Sequence, residues 1–210
     1  MTVLSVDGLA KRWDASSGLP PVSFELDPGE LLAVRGRSGT GKSTLLSILA
    51  GWCPQDAGTV VRHGEWGEGD AWRRWEHTAV VPQVMALQPE LSVLENVTLA
   101  ARTRVRREAE QAAMQLFEEL DVAALADRSP GETSMGQQQR ITIARALIAA
   151  PTLLLIDEPT SHQDDGHAAL VIEAVRRCTK GGTAAIVVTH DHRADAHTER
   201  VLTLSPIDET

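Results

Sequence analysis

The chain has 210 residues, 42% hydrophobic and 23% charged, the proportions of a folded globular protein and not of a disordered one. Lys and Arg number 20 against 29 Asp and Glu, and the net charge of −9 argues against a nucleic-acid binder, which needs a basic surplus to neutralise phosphates. Two cysteines, Cys53 and Cys178, are too few for a disulfide framework in a chain this long and point to a reducing compartment.

Residues 1–7 hold no basic segment leading into an apolar stretch, so no secretory signal is expected. Short β-rich runs at 3–6, 22–26 and 31–34 predict strands, the last ending at Gly36. From Lys42 the period changes: Leu45, Leu46, Ile48 and Leu49 recur at helical spacing until Gly51 stops the run. Further strands are expected at 59–62 and 78–81. The middle, about 91–126, reads as mostly helical, with Ser92 and Glu95 forming a capping box and Ala109, Ala113, Leu116 and Leu120 sharing one face of a longer helix. After Pro130-Gly131 another helix is expected from near Gly136 to Ala149.

Residues 152–156 are continuously apolar between Pro151 and Asp157, as in a strand buried on both faces of a parallel sheet. The stretch 146–156 is broken by that proline and is far shorter than the roughly 20 apolar residues of a membrane helix. A helix over 166–178 and strands at 184–188 and 201–204 complete the pattern. Strands alternating with helices predict an α/β fold with a mostly parallel central sheet, an N-terminal antiparallel β portion and a helical insertion at about 86–140, in one unit spanning 1–210.

Gly36-Arg37-Ser38-Gly39-Thr40-Gly41-Lys42-Ser43 matches the phosphate-binding P-loop pattern, with a strand feeding in and a helix leading out. Glycines let backbone N–H groups curl around phosphates, and the helix beginning near Lys42 turns its positive end toward them. Lys42 supplies a mobile charge for the β and γ phosphates, Ser43 a hydroxyl for Mg²⁺, and Thr44 continues the ATP-binding run. Asp157 and Glu158 end the buried strand, where strand ends of a doubly wound sheet face the ligand crevice. Asp157 is expected to reach the Mg²⁺ held by Ser43, and Glu158 to act as general base on the attacking water.

The stretch Thr133-Ser134-Met135-Gly136-Gln137-Gln138-Gln139-Arg140 resembles the signature motif of the ATP-binding cassette (ABC) family, usually Leu-Ser-Gly-Gly-Gln. Gln83, Asp164 in Ser161-His162-Gln163-Asp164 and His190 in Val188-Thr189-His190-Asp191 match the family's Q-loop, D-loop and switch histidine, in family order. The resemblance implies a P-loop NTPase fold with a helical signature subdomain. It also implies an ATPase using ATP and Mg²⁺, in which two cassettes pack head to tail as a homodimer or heterodimer. Each ATP would lie between the P-loop of one cassette and Ser134, Met135, Gly136 and Gln137 of the other. His190 would bond the γ-phosphate, Gln83 would touch Mg²⁺ or its water, and Asp164 would cross the dimer interface. Trp13, 23 residues before Gly36, lies where the family sets an aromatic ring against adenine; packing on the first sheet is the alternative.

Thr133, Met135 and the pair His162-Gln163 depart from the family pattern, which has Leu, Gly and small or apolar residues there. His190, His192 and His197 lack the spacing of a metal set, and Arg102, Arg104, Arg106 and Arg107 read as a solvated helix face. Residues 87–97, just after Gln83, resemble the lipoprotein-release, macrolide-export and cell-division branch. That likeness implies an ATP-binding subunit working with a separate transmembrane permease, export-type, peripheral on the cytoplasmic face of the membrane, with no nucleic-acid partner. A non-transport membrane complex and a soluble DNA- or ribosome-acting ATPase are the alternatives; the absence of sustained heptads between Lys42 and Ser134 speaks against the chromosome-type relative.

Overall fold

The computed structural model describes residues 2–14, 17–64, 66, 71–73, 77–101, 105–190, 198 and 200–207. In chain order the first half contains β1 (Leu4–Arg12), β2 (Gly18–Leu26), β3 (Leu31–Arg35), α1 (Lys42–Leu49), β4 (Ala57–Arg62) and β5 (Thr78–Val81). The second half contains α2 (Val93–Thr98), α3 (Arg106–Glu119), α4 (Met135–Leu147), β6 (Leu153–Asp157), α5 (Asp165–Lys180), β7 (Ala184–Val188) and β8 (Arg200–Thr203).

β1 runs beyond residue 6 because its alternation slips. Leu4 and Val6 point inward, then Leu9, and the register against β2 shifts between Val6 and Leu9. A bulge of this kind breaks the period of two that a sequence pattern relies on. β2 also begins earlier than residue 22, carrying Pro20 and Pro21 within it. It is an edge strand of the antiparallel sheet β2-β1-β4, where a missing N–H costs no ladder bond.

The second sheet is parallel throughout, in the order β5-β6-β7-β3-β8. All five residues of β6 and of β7 are buried, as expected when helices cover both faces. Side chains alternate across it. Leu153 and Leu155 join α1 and the antiparallel sheet in one apolar cluster, while Leu154 and Ile156 join α2, α3, α4 and α5 in another. The acidic end of β6 therefore emerges where the two clusters meet.

Ser92 caps α2: its Oγ accepts from Glu95 N at 3.2 Å, and Glu95 Oε2 accepts from Ser92 N at 2.8 Å. The Ser92 N–H, with help from the Ser92 hydroxyl, holds the exposed Glu95 carboxyl below its ordinary pKa. Asn96, fully buried, donates to the carbonyls of Gln88, Leu91 and Ser92 and accepts from Gln88 N, so it pins the segment leading into the helix. In α3 the buried set is Ala109, Ala113 and Phe117, with Leu116 only half-buried beside it. Arg106 is almost wholly exposed and pairs with Glu110 at 2.8 Å, a solvated ion pair; Arg102 and Arg104 lie outside the described residues. No helix among the described residues is long and apolar enough to cross a membrane.

Candidate functional site

The loop between β3 and α1 surrounds the main cavity, about 710 Å³, with Gly36, Arg37, Ser38, Gly39, Gly41, Lys42, Ser43 and Thr44 in its wall. Gly41 is the N-cap of α1 at φ 88°, a conformation that favours glycine. A Cβ there would also strike Gly18 O and Leu19 of β2, so the backbone approach admits nothing larger. No side chain caps α1 and its first turn has no acidic residue, which leaves the positive end of the helix directed at the cavity. Lys42 Nζ donates to the carbonyls of Gly36 at 2.9 Å and Arg37 at 3.1 Å, so the ammonium is held within the loop. Thr40 does not line the cavity; it is buried beneath the loop, and its Oγ1 donates to Arg37 O at 2.9 Å.

Ser43 Oγ donates to Asp157 Oδ2 at 2.8 Å, across 114 positions of sequence. Burial raises the Asp157 pKa above its ordinary value; the Ser43 hydrogen bond opposes this, Glu158 adds to it and Lys42 opposes it. A buried carboxylate held against a hydroxyl is a suitable start for a hard cation, since Mg²⁺ takes few protein oxygens and completes its shell with water and phosphate. Among the described residues there is no His, Cys, Asp and Glu cluster of the kind that encloses a metal by itself.

Glu158 turns away from β6. Its φ of 50° is unusual for a non-glycine residue and costs of order 1–3 kcal/mol, so neighbouring bonds must hold it. Its N–H donates to Val188 O at 2.8 Å, and its carbonyl accepts from Gln139 Nε2 at 2.6 Å and Ser161 Oγ at 3.1 Å. The left-handed turn sends the carboxylate to Thr189 and His190: Oε2 accepts from Thr189 Oγ1 at 3.3 Å and His190 N at 3.4 Å, and Oε1 lies 2.8 Å from His190 Nδ1. Glu158, His190, Asp157 and the exposed Gln83 all line the cavity. Trp13 stands on its rim, 57% exposed, with Nε1 donating to Thr44 Oγ1 at 3.2 Å and the Lys11 ammonium 5.0 Å from the ring centroid.

Ser134, Met135, Gly136 and Gln137 do not line this cavity. They form the first turn of α4, where Ser134 Oγ accepts from Gln137 N at 3.3 Å and Gln137 Oε1 accepts from Ser134 N at 2.8 Å. Thr133 is buried and its Oγ1 donates to Pro130 O, while Met135 is 59% exposed on the outside of that turn. Asp164 caps α5, accepting from His167 N at 3.0 Å with its Oδ2 2.7 Å from His167 Nδ1. These bonds hold the exposed Asp164 carboxyl below its ordinary pKa.

A family model described as "ABC transporter" matches residues 19–161. The lipoprotein-releasing system ATP-binding protein LolD of Chromohalobacter salexigens is 37% identical over 89% of this chain and 82% of its own. The Fe(3+) ions import ATP-binding protein FbpC 2 of Rhodococcus jostii is 37% identical over 96% of this chain, which spans only 59% of that longer protein. Among solved structures, the dimeric post-hydrolysis state of the cassette MJ0796 bound to ADP and Pi superposes with TM-score 0.84 at 27% identity, covering 96% and 94% of the two chains.

The chain belongs to the ABC transporter family. It is an ATP-binding, ATP-hydrolysing subunit of that family, on an α/β P-loop fold with a parallel five-stranded sheet and a separate antiparallel sheet. The cassette brings the phosphate loop, Trp13, Gln83, Asp157, Glu158 and His190 to one cavity and holds the signature turn and Asp164 elsewhere. His192 and His197 lie outside the described residues. Sequence reasoning missed three participants: Thr189 on the Glu158 carboxylate, Gln139 beneath its peptide, and Gln163 between the D-loop and the signature turn. Only Gln163 carried a signal, as a polar residue in a place expected to be apolar.

Proposed function

We propose that this chain, acting as one cassette over 1–210 with a helical arm at about 86–140, drives a separate membrane permease of the export type. It would do so from the cytoplasmic face of the membrane, as one half of a head-to-tail ATP-bound dimer. The observation that carries the reading is the division of the site: the cavity gathers Trp13, Gln83, Lys42, Ser43, Asp157, Glu158 and His190, while the signature turn and Asp164 sit elsewhere on the same chain. A second cassette supplies what the first lacks. Across that interface α4 offers a helix N-terminus, and Ser134, whose Oγ already accepts from Gln137 N, keeps its hydroxyl proton to donate to phosphate.

Within one half-site Lys42 and the N–H groups of the loop bind the phosphates, and Trp13 stacks on adenine. Ser43, Asp157 and Gln83 would hold Mg²⁺, which would supply positive charge to offset that of the phosphates. Glu158 takes the proton from the attacking water through the carboxylate that Thr189 and His190 hold, and His190 also reaches the γ-phosphate. Beside Gln83 a groove of about 280 Å³, lined in part by Trp52, Arg73, Pro82, Ala86 and Arg145, suits a short segment of the permease. Trp52, 61% exposed, gives the groove an apolar wall. LolD supports the export assignment, as a lipoprotein-releasing relative.

Glu158→Gln tests the scheme. Removing the proton acceptor should slow hydrolysis by about 10²–10⁴-fold while ATP still binds. The variant should then collect as an ATP-dependent dimer in light scattering with Mg-ATP. Hydrolysis at the wild-type rate overturns the role of Glu158; a variant that binds ATP and remains monomeric even with its permease overturns the dimer.

A further inference from the structure

We infer that Gln163 is a positioning residue: its side chain couples the signature turn, which serves the opposite half-site, to the peptide of Glu158, which serves its own. The inference rests on the dimer reading above. Gln163 Nε2 donates to Gly136 O at 2.9 Å and to Gln139 Oε1 at 3.0 Å, while its Oε1 accepts from Arg140 Nη1 at 2.7 Å. Gln139, 3% exposed, passes the connection on, donating from Nε2 to Glu158 O at 2.6 Å and reaching Ser161 Oγ at 3.4 Å. Two carboxamides in series thus join the carbonyl of Gly136 to the carbonyl of Glu158.

The orientation of both amides is forced. A guanidinium only donates and a peptide carbonyl only accepts, so Gln163 must turn its oxygen to Arg140 and its nitrogen to Gly136. Gln139 must likewise turn its nitrogen to Glu158 O and its oxygen to Gln163. Flipping either amide would set oxygen against oxygen in a half-buried place, which costs about as much as losing the bonds. The backbone contact is close as well: a Cβ on Gly136 would stand 2.7 Å from His162 O, so the D-loop lies directly on the first turn of α4. Arg140, 5% exposed, anchors the far side through Asp121 O at 3.4 Å.

What moves at one end is felt at the other, because Glu158 occupies a left-handed conformation that its neighbours must maintain. Gln139 is one of those neighbours. A shift of the signature turn when it meets the partner's nucleotide would reach the Glu158 peptide through Gln163 and Gln139. An apolar residue at 163 would fill the same space and break the series.

The experiment compares Gln163→Leu and Gln163→Glu in the purified full chain, each alone and combined with Glu158→Gln. Leu removes every bond, while Glu keeps an acceptor for Arg140 and removes the donors. Both should lower kcat about tenfold with KM for ATP within about twofold, and both should weaken the Glu158→Gln dimer by about five- to thirtyfold. Mg-ATP affinity of the monomer should not change. Wild-type kcat in both variants, or a parallel fall in kcat, ATP affinity and melting temperature, overturns the inference, since the second pattern marks a merely structural role. If the parental Glu158→Gln binds ATP yet fails to dimerise even with its permease, the dimer reading fails instead, and the kcat against KM split alone then decides for or against Gln163.

Discussion

Replacing Trp13 with Ala separates a base-stacking ring from a structural one. The ring keeps 57% of its surface exposed, and its local bonds are one hydrogen bond to Thr44 and a cation–π contact with Lys11. Together these are worth under about 2 kcal/mol at an exposed site, so the variant should stay folded. If adenine stacks on the exposed ring, losing it should cost about 1–2 kcal/mol of binding, roughly 5- to 30-fold in Kd. Calorimetric titration with Mg-ATP and with tripolyphosphate, which presents phosphates without a base, gives the contrast. ATP should weaken by that factor and tripolyphosphate should stay within about twofold, with Trp13→Phe recovering most of the loss. Equal weakening of both ligands would mean that the substitution had disturbed the loop through Thr44. Unchanged ATP affinity in the folded variant would refute stacking outright.

Lys42→Ala should lose ATP hydrolysis and about 10- to 150-fold in ATP affinity, the scale of a charge-assisted bond; undiminished turnover would refute the phosphate-loop assignment. Asp157→Asn should raise the melting temperature of the nucleotide-free protein at neutral pH. The folded-state pKa of Asp157 is raised, so its charged form opposes folding above that pKa, and the cost is relieved as pH falls through it. The gap between variant and wild type in a thermal melt should therefore narrow as pH falls from neutral toward the ordinary aspartate range. A gap that stays constant with pH would contradict the assignment to burial. The same variant should lose the Mg²⁺-dependent part of ATP binding.

The phosphate loop was legible because its chemistry is contiguous: Gly36 to Ser43 are neighbours in sequence and remain so in space. β6 and β7 were legible because burial on both faces leaves no polar residue to interrupt the run. β1 and β2 extend beyond the runs 3–6 and 22–26 because a bulge upsets the alternation of β1 and because β2, an edge strand, tolerates Pro20 and Pro21. The separate roles of Asp157 and Glu158 need side chains that part at one strand end; the structure produces this with a left-handed backbone at Glu158, which no residue type announces. The bonds of Gln139 and Gln163 were illegible for another reason, since Gln163 meets Gly136 across 27 positions and Gln139 meets Glu158 across 19.

Alternation along the parallel sheet has an evolutionary consequence. Leu153 and Leu155 face the compartment that carries α1 beneath the phosphate loop, while Leu154 and Ile156 face the one that carries α2, α3, α4 and α5. Substitutions more than about 7–10 Å from the other compartment and sharing no partner with it act nearly independently. The outer surface of α2 and α3 can then change while the floor under the phosphates keeps its shape. A lineage of such chains would inherit one engine and many couplings, with change most constrained at Asp157 and Glu158, where the two compartments meet and neither can be retuned alone.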